Sequence, residues 1–319
     1  MNRGTLCISL DFEKFWGIHD VANLNDVEHK LLKVDYVVNR LLDLFEKYNI
    51  HCTWATVGLL GFDSFETLNE FCLDKRISYL NENYSPFPIK KLIDSSINNK
   101  IITAKSCIDK IKKSRNQEIA SHTFSHFYTL EQGQTKEEFI DDLNSFKTIV
   151  GDVKSIIFPR NQINETYLQL CAEHHIISYR GNQNNIFWSN LSFSNEKLIH
   201  KIGRTIDAYI KISKDNLIDW NDLKKESNGL INIPASRFLK SYKHSKFIEN
   251  LKLKRLKKQM LKSAQKNKVY HLWWHPHNFT TNTDANFKQL ESLFVYYKQL
   301  EKDYGYQSLN MKEIANQIE

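Results

Sequence analysis

Apolar runs of strand length alternate with segments of helical period along most of this chain, and that alternation constrains the fold more than any single residue. "TLCISLD" (5–11) reads as a buried strand, and "KLLKVDYVVNRLLDLFEKYN" (30–49) sets Leu31, Val34, Val38, Leu41 and Phe45 at helical spacing. "HCTWATVGLL" (51–60) and "EIASH" (118–122) are further strand candidates, separated by a less regular stretch, 62–116, expected to be a loop-and-helix insertion. "TKEEFIDDLNSFKTIV" (135–150) opens with a capping box, Thr135 and Glu138, and carries Phe139, Leu143, Phe146 and Val150 on one face. The alternation continues through "SIIFPRN" (155–161), a helix at 164–175, "IISYRG" (176–181), "GLINIPA" (229–235) and "VYHLWWH" (269–275). A last helix holds Phe287, Leu290, Phe294 and Tyr297. Seven strands separated mostly by helices imply a parallel α/β architecture, most simply a barrel of about seven units. No Pro/Gly/Ser-rich linker or internal repeat divides the sequence, so residues 1–319 are expected to form a single domain.

In a parallel barrel the loops at the carboxyl ends of the strands build the active site. The chemically able residues fall there. Asp11 and Glu13 end the first strand, and His122 and His126 follow the third. Arg160 follows the fourth, Arg180 ends the fifth, and His275 and His277 close the last. Asp11 and Glu13 are two apart, so on an extended backbone they share a face, where two like charges repel unless a cation lies between them or one is protonated. If "HTFSH" begins a helix, its two imidazoles meet at i,i+4, and with one carboxylate they make an open, catalytic zinc-type site. The bland alternatives are a surface acid pair and one core plus one surface histidine. In "HLWWH" an extended backbone sets His271 and His275 about 13 Å apart, too far to share one ion. His275 is better read as a lone acid–base group.

The set "SLDFE", "TWATVG", "SHTFSH", "FPRNQ" and "HLWWHPHNF" resembles, over nearly the whole chain, the polysaccharide deacetylase (NodB-homology) family. The likeness is to a branch associated with O-antigen, capsule and exopolysaccharide biosynthesis. It implies a distorted (β/α)7 barrel and metal-dependent removal of an N-acetyl group from a sugar. The implied cofactor is a divalent metal ion, zinc first, with Co, Mn or Ni as substitutes. His122, His126 and Glu13 take the ligand positions, Asp11 the base, and His275 the acid that protonates the leaving amine. Arg160 takes the place of the group that orients the base. The pattern departs from the family in its Asp-x-Glu pair, in "FPRNQ", and in lacking the D-x-x-D-W motif. Arg180 stands near the missing motif, as a substrate contact or as a substitute charge partner. Among the clustered aromatic residues Trp16 is the preferred sugar contact, with Trp274 and His277 as further substrate-binding candidates. Other C–N hydrolysis on the same scaffold, of cyclic amides or ureides, and non-catalytic carbohydrate binding are the alternatives.

Charge narrows the partners. Residues 240–268 hold eleven Lys/Arg against one acid, Glu249, so this segment is net +10 in a chain of net +7. A solvated helix face is the ordinary explanation of such a run. The functional one is contact with an anionic membrane or a phosphate-bearing carrier. No nucleic-acid-binding motif accompanies it. The five cysteines form no C-x-x-C pair, and no signal peptide or membrane-spanning run is evident. A cytoplasmic protein, peripheral to the inner membrane face, is therefore expected, acting on an N-acetylated sugar, sugar nucleotide or lipid-linked glycan.

Overall fold

The computed structural model describes residues 2–318, except 94, 184–187, 189–202, 204, 208 and 210–213. Among the described residues nine strands form one sheet: β1 (Thr5–Phe12), β2 (Cys52–Thr56), β3 (Gln117–Ser121), β4 (Ser155–Ile156), β5 (Ser178–Tyr179), β6 (Ile231–Asn232), β7 (Arg237–Phe238), β8 (Val269–Trp274) and β9 (Gln307–Ser308). Their order is β6-β5-β4-β3-β2-β1-β8-β7, with β9 added to β1, and the strands pair in parallel throughout. The sheet curls into a distorted (β/α)7 barrel whose path ends at β6 and β7. β4 to β7 and β9 have only two residues each, and of these β7 and β9 lie outside the apolar runs of the sequence.

β1 is central, paired with β2 at Leu10↔Trp54 and with β8 at Leu10↔Trp274. All eight of its residues are buried, with Leu6, Ile8, Leu10 and Phe12 on one face and Thr5, Cys7, Ser9 and Asp11 on the other, as befits a parallel strand covered on both sides. Helices cover the outside. α1 (Val34–Tyr48) buries Val34, Val37, Val38, Leu41, Leu42 and Phe45, and Asn49 stops it with a left-handed cap at φ 54°. The pattern over 30–49 suggests one helix, but the chain breaks before Val34, after a separate short helix, Leu24–Leu31. α2 (Lys136–Ile149) starts at the expected capping box, with Thr135 and Glu138 satisfying each other's backbone N–H. The 62–116 insertion forms short helices at Phe65–Phe71, Asn99–Ile102 and Lys105–Lys113.

The basic segment becomes α3 (Lys246–Gln265). It is not simply a solvated face. Glu249, Lys252, Arg255 and Gln259 are buried, and Lys252 pairs with Glu249 while Arg255 pairs with Asp207. α4 (Thr283–Tyr304) packs Phe287, Leu290, Phe294 and Tyr297 inward. No described helix is long and apolar enough to cross a membrane.

Candidate metal-dependent active site

β1 delivers two carboxylates to the carboxyl end of the sheet. Asp11 lies within the strand and Glu13 just beyond it, before Lys14 turns the chain at φ 45°. From the end of β3, separated from β1 by β2, come His122 and His126, but not on a helix. "HTFSH" is an irregular loop in which Thr123 and His126 hold left-handed φ of 62° and 61°. Such backbone is costly and needs fixed support. Buried Asp142, on α2, supplies it: its carboxylate accepts the Phe124 and Ser125 N–H groups at 2.6 and 2.9 Å and also the Ser125 hydroxyl. Burial pushes the Asp142 carboxyl up to about 6, against the hydrogen bonds from the loop.

The result is a three-sided donor set. Glu13 Oε2 lies 3.3 Å from His122 Nε2 and 3.2 Å from His126 Nε2, and one ligand atom from each of the three residues lies within 4.8 Å of the others. An ion about 2.0–2.2 Å from two ligands at a tetrahedral angle sets them about 3.3 Å apart, so these separations fit the edges of such a site. The tautomers agree. His122 Nδ1 lies 2.7 Å from the Ile157 carbonyl, which can only accept, so this nitrogen carries the proton. His126 Nδ1 lies 3.2 Å from the Tyr128 hydroxyl, which donates onward to Asp20 at 3.3 Å. Both Nε2 atoms are thereby left as lone pairs aimed at a carboxylate oxygen. Burial lowers His126 to about 4 despite Glu13 beside it, so protonation does not relieve the clash of acceptors. Burial raises the Glu13 carboxyl, but the imidazoles around it, His275 first, outweigh burial and hold it well below the usual range. Three electron-pair donors converging with no proton between them are the signature of a cation site.

Asp11 is held apart from this set. Arg180 pairs with both of its oxygens, at 2.7 and 2.8 Å, and also reaches Ser9 and Asn161. Burial opposes ionisation of Asp11, but the Arg180 charge overcomes it and the carboxyl lies below its ordinary value. His275 Nε2 faces both acids, 3.6 Å from Glu13 and 3.8 Å from Asp11, and its Nδ1 meets the Asn278 side-chain nitrogen at 3.2 Å. His277 stacks on His275 with centroids 5.0 Å apart and brings Nδ1 to 3.9 Å from Glu13. The side chains of His275 and His277 are about one-fifth exposed, whereas Asp11, Glu13, His122 and His126 are buried. Asp11, Glu13, His122 and His126 thus lie inside, and the partly exposed His275 and His277 mark the mouth of the site.

Several sequence expectations change here. Arg160 does not lie beside Asp11; it pairs with Asp20 at 2.5 Å and covers the Tyr128 ring at 4.3 Å, behind His126. Arg180 occupies that place instead, and being 1% exposed it is a partner of Asp11 rather than a substrate contact. Trp16 is fully buried with its N–H on the Ile102 carbonyl at 2.7 Å, so it offers no face to a sugar. Trp274 is also fully buried and stacks on Phe279. Sequence reasoning missed Asp142, Tyr128, Asp20 and Gly17. Asp142 left a trace, an acid on the buried side of α2 one turn from Phe139 and Phe146. A Cβ at Gly17 would lie 2.1 Å from Glu13 Cδ, a contact only coordinates reveal.

No family model matches the chain, and no curated protein matches it. Solved structures do. It is similar to a candidate polysaccharide deacetylase from Mycobacterium smegmatis, with a TM-score of 0.61 and 12% identity over 100% of this chain and 91% of that one. It is similar to Puue allantoinase, with a TM-score of 0.54 and 11% identity over 99% of this chain and 90% of that one. An α-amylase, AmyC from Thermotoga maritima, gives a TM-score of 0.56 and 8% identity over 99% of this chain and 75% of that one. The shared feature is the distorted (β/α)7 barrel. Three differently named enzymes on one scaffold leave the chemistry to the side chains.

Proposed function

We propose that this chain is a metal-dependent hydrolase that removes an N-acetyl group from a sugar during surface-polysaccharide synthesis. The observation that carries the reading is the convergence of Glu13 Oε2 with two unprotonated imidazole nitrogens, beside a second carboxylate held separately by Arg180. Glu13, His122 and His126 would hold the ion, zinc or a similar divalent metal. Such an ion lowers the pKa of bound water towards about 7 and polarises an amide carbonyl.

The protein's own groups supply the rest. Asp11, kept ionised and oriented by Arg180, accepts the proton of the attacking water. His275, at the mouth and within reach of both acids, gives its proton to the amide nitrogen as the C–N bond breaks, so that the amine leaves neutral. Water adds to the carbonyl carbon, and acetate and a free amino sugar result. A cleft of about 830 Å³, lined by His19, Asp20, Ser85 and Lys91 among others, opens beside Asp20.

The test is acetate release from N-acetylated sugar nucleotides and lipid-linked glycans, with and without a chelator. Chelation should abolish turnover and added zinc restore it. Asp11→Asn should retain the metal and lose at least about 100-fold in turnover. Undiminished turnover in that variant would sink the assignment of the base. Ring opening of a cyclic ureide without acetate release would move the chain to the second C–N hydrolase reading, for which the likeness to an allantoinase is the supporting observation.

A further inference from the structure

α3 is inside out over its first half. It buries Glu249, Lys252, Arg255 and Gln259 while exposing Phe247 (72%), Ile248 (36%) and Leu251 (41%). A helix of a water-surrounded protein ordinarily shows the reverse. Phe247, Leu251, Lys254 and Lys258 follow at i, i+4, i+7 and i+11, a single outward stripe with an apolar tip and lysines further along. Lys243 and Lys246 are exposed beside the tip.

The tip lies at the end of the barrel that carries the active site. α3 starts eight residues after Phe238, whose ring is 5.7 Å from that of His275, and it ends shortly before Val269 opens β8 at the far end of the sheet. The segment leading into it is tied to the same rim, since Tyr242 N–H donates to Asn286 and Asn282 donates to the Tyr242 carbonyl. Leu80, 76% exposed, adds a second apolar point, for its N–H bonds to Gln132 in the loop after β3.

We propose that this rim docks on an anionic lipid bilayer, with Phe247, Ile248 and Leu251 entering the headgroup–acyl boundary and Lys243, Lys246 and Lys254 contacting lipid phosphates, so that the active-site mouth faces the membrane. The proposal rests on the deacetylase reading for its consequence, a lipid-anchored glycan as substrate, but the docking itself does not. Charge decides the occupant. A second copy of the chain would bring lysines against lysines, whereas apolar residues ringed by cations suit a surface of anionic headgroups over hydrocarbon.

The full-length protein is floated with vesicles of phosphatidylcholine alone and of phosphatidylcholine with about 30 mol% phosphatidylglycerol. Binding is expected only to the anionic vesicles. It should weaken at least about tenfold in Phe247→Ser and about fivefold in Lys254→Gln. Equal binding to both vesicle types, no binding to either, or undiminished binding by Phe247→Ser with Leu251→Ser would overturn the proposal. So would a concentration-dependent dimer that Phe247→Ser dissolves. Acetate release from a soluble N-acetylated sugar, measured without vesicles on the unsubstituted protein, reports on the chemistry separately, so the two readings fail independently.

Discussion

Replacing Gly17 by alanine should empty the metal site while leaving the fold intact. The added Cβ would lie 2.1 Å from Glu13 Cδ, 2.2 Å from Oε1 and 2.6 Å from Cγ, where ordinary contact begins near 3.4 Å. The carboxylate must therefore retreat by at least about 1 Å, several times the roughly 0.2 Å tolerance of a metal–ligand distance. Its loss as a ligand should weaken metal binding by at least the about 10–100-fold that follows disturbance of a ligand's surroundings, or about 1.4–2.8 kcal/mol. What moves is the end of a flexible side chain rather than backbone, so stability without metal should change by less than about 1 kcal/mol. Asp11 keeps both bonds to Arg180 and is untouched. Chelator-buffered zinc titration of wild type and Gly17→Ala, with urea unfolding of both in the metal-free state, reads the two effects apart. Unchanged zinc affinity in a folded Gly17→Ala protein would refute Glu13 as a ligand and point to Asp11.

Asp142→Ala should strand two buried N–H groups of the His122–His126 loop, costing about 2–5 kcal/mol in denaturant unfolding and at least about tenfold in metal affinity. Arg180→Met removes the buried partner of Asp11. An unfolding loss on the order of 3–5 kcal/mol and an acid limb of the pH–rate profile moved to higher pH are expected, since Arg180 is what depresses that carboxyl. Burial lowers His271 from 6.5 to about 3, so the unfolded chain takes up this proton first. The stability gained by keeping His271 neutral is full above about pH 6.5 and is lost as pH falls towards 3, by about 2 kcal/mol at pH 5. His271→Asn should flatten that part of the urea-measured stability–pH curve, and an unaltered slope would contradict it. Zinc added at about 100 times its dissociation constant should stabilise the wild type by about 2.7 kcal/mol, read as a raised melting temperature that a chelator reverses.

The long elements were legible because burial writes a period into sequence. β1 reads as a buried strand from the alternation of Leu6, Ile8, Leu10 and Phe12, and α1, α2 and α4 show one buried stripe each. β7 was not legible: Arg237 and Phe238 lie in no apolar run, unlike the equally short β4, β5 and β6. The convergence of Asp11, Glu13, His122, His126, His275 and His277 followed from one topological rule, that loops at one end of a parallel sheet meet. Local geometry did not follow. The spacing of "HTFSH" suits a helical turn, but Asp142, from another helix, stabilises a left-handed loop instead. The two arginines show the same limit: Arg160 and Arg180 both follow strands, and only packing shows which one lies against Asp11. Tryptophans near a site are ambiguous in sequence because a large ring fills a core as well as it binds a sugar, and Trp16 and Trp274 fill the core. The charge of α3 was visible, but not that Glu249, Lys252 and Arg255 turn inward.

The central claim is that one divalent cation is held by Glu13, His122 and His126. Elemental analysis of protein purified without chelator, repeated for His122→Ala with His126→Ala, tests it most directly. The account predicts close to one divalent ion per wild-type chain and none in the double variant. A wild-type chain that binds no ion in the presence of excess zinc, or a double variant that still binds one, would contradict it.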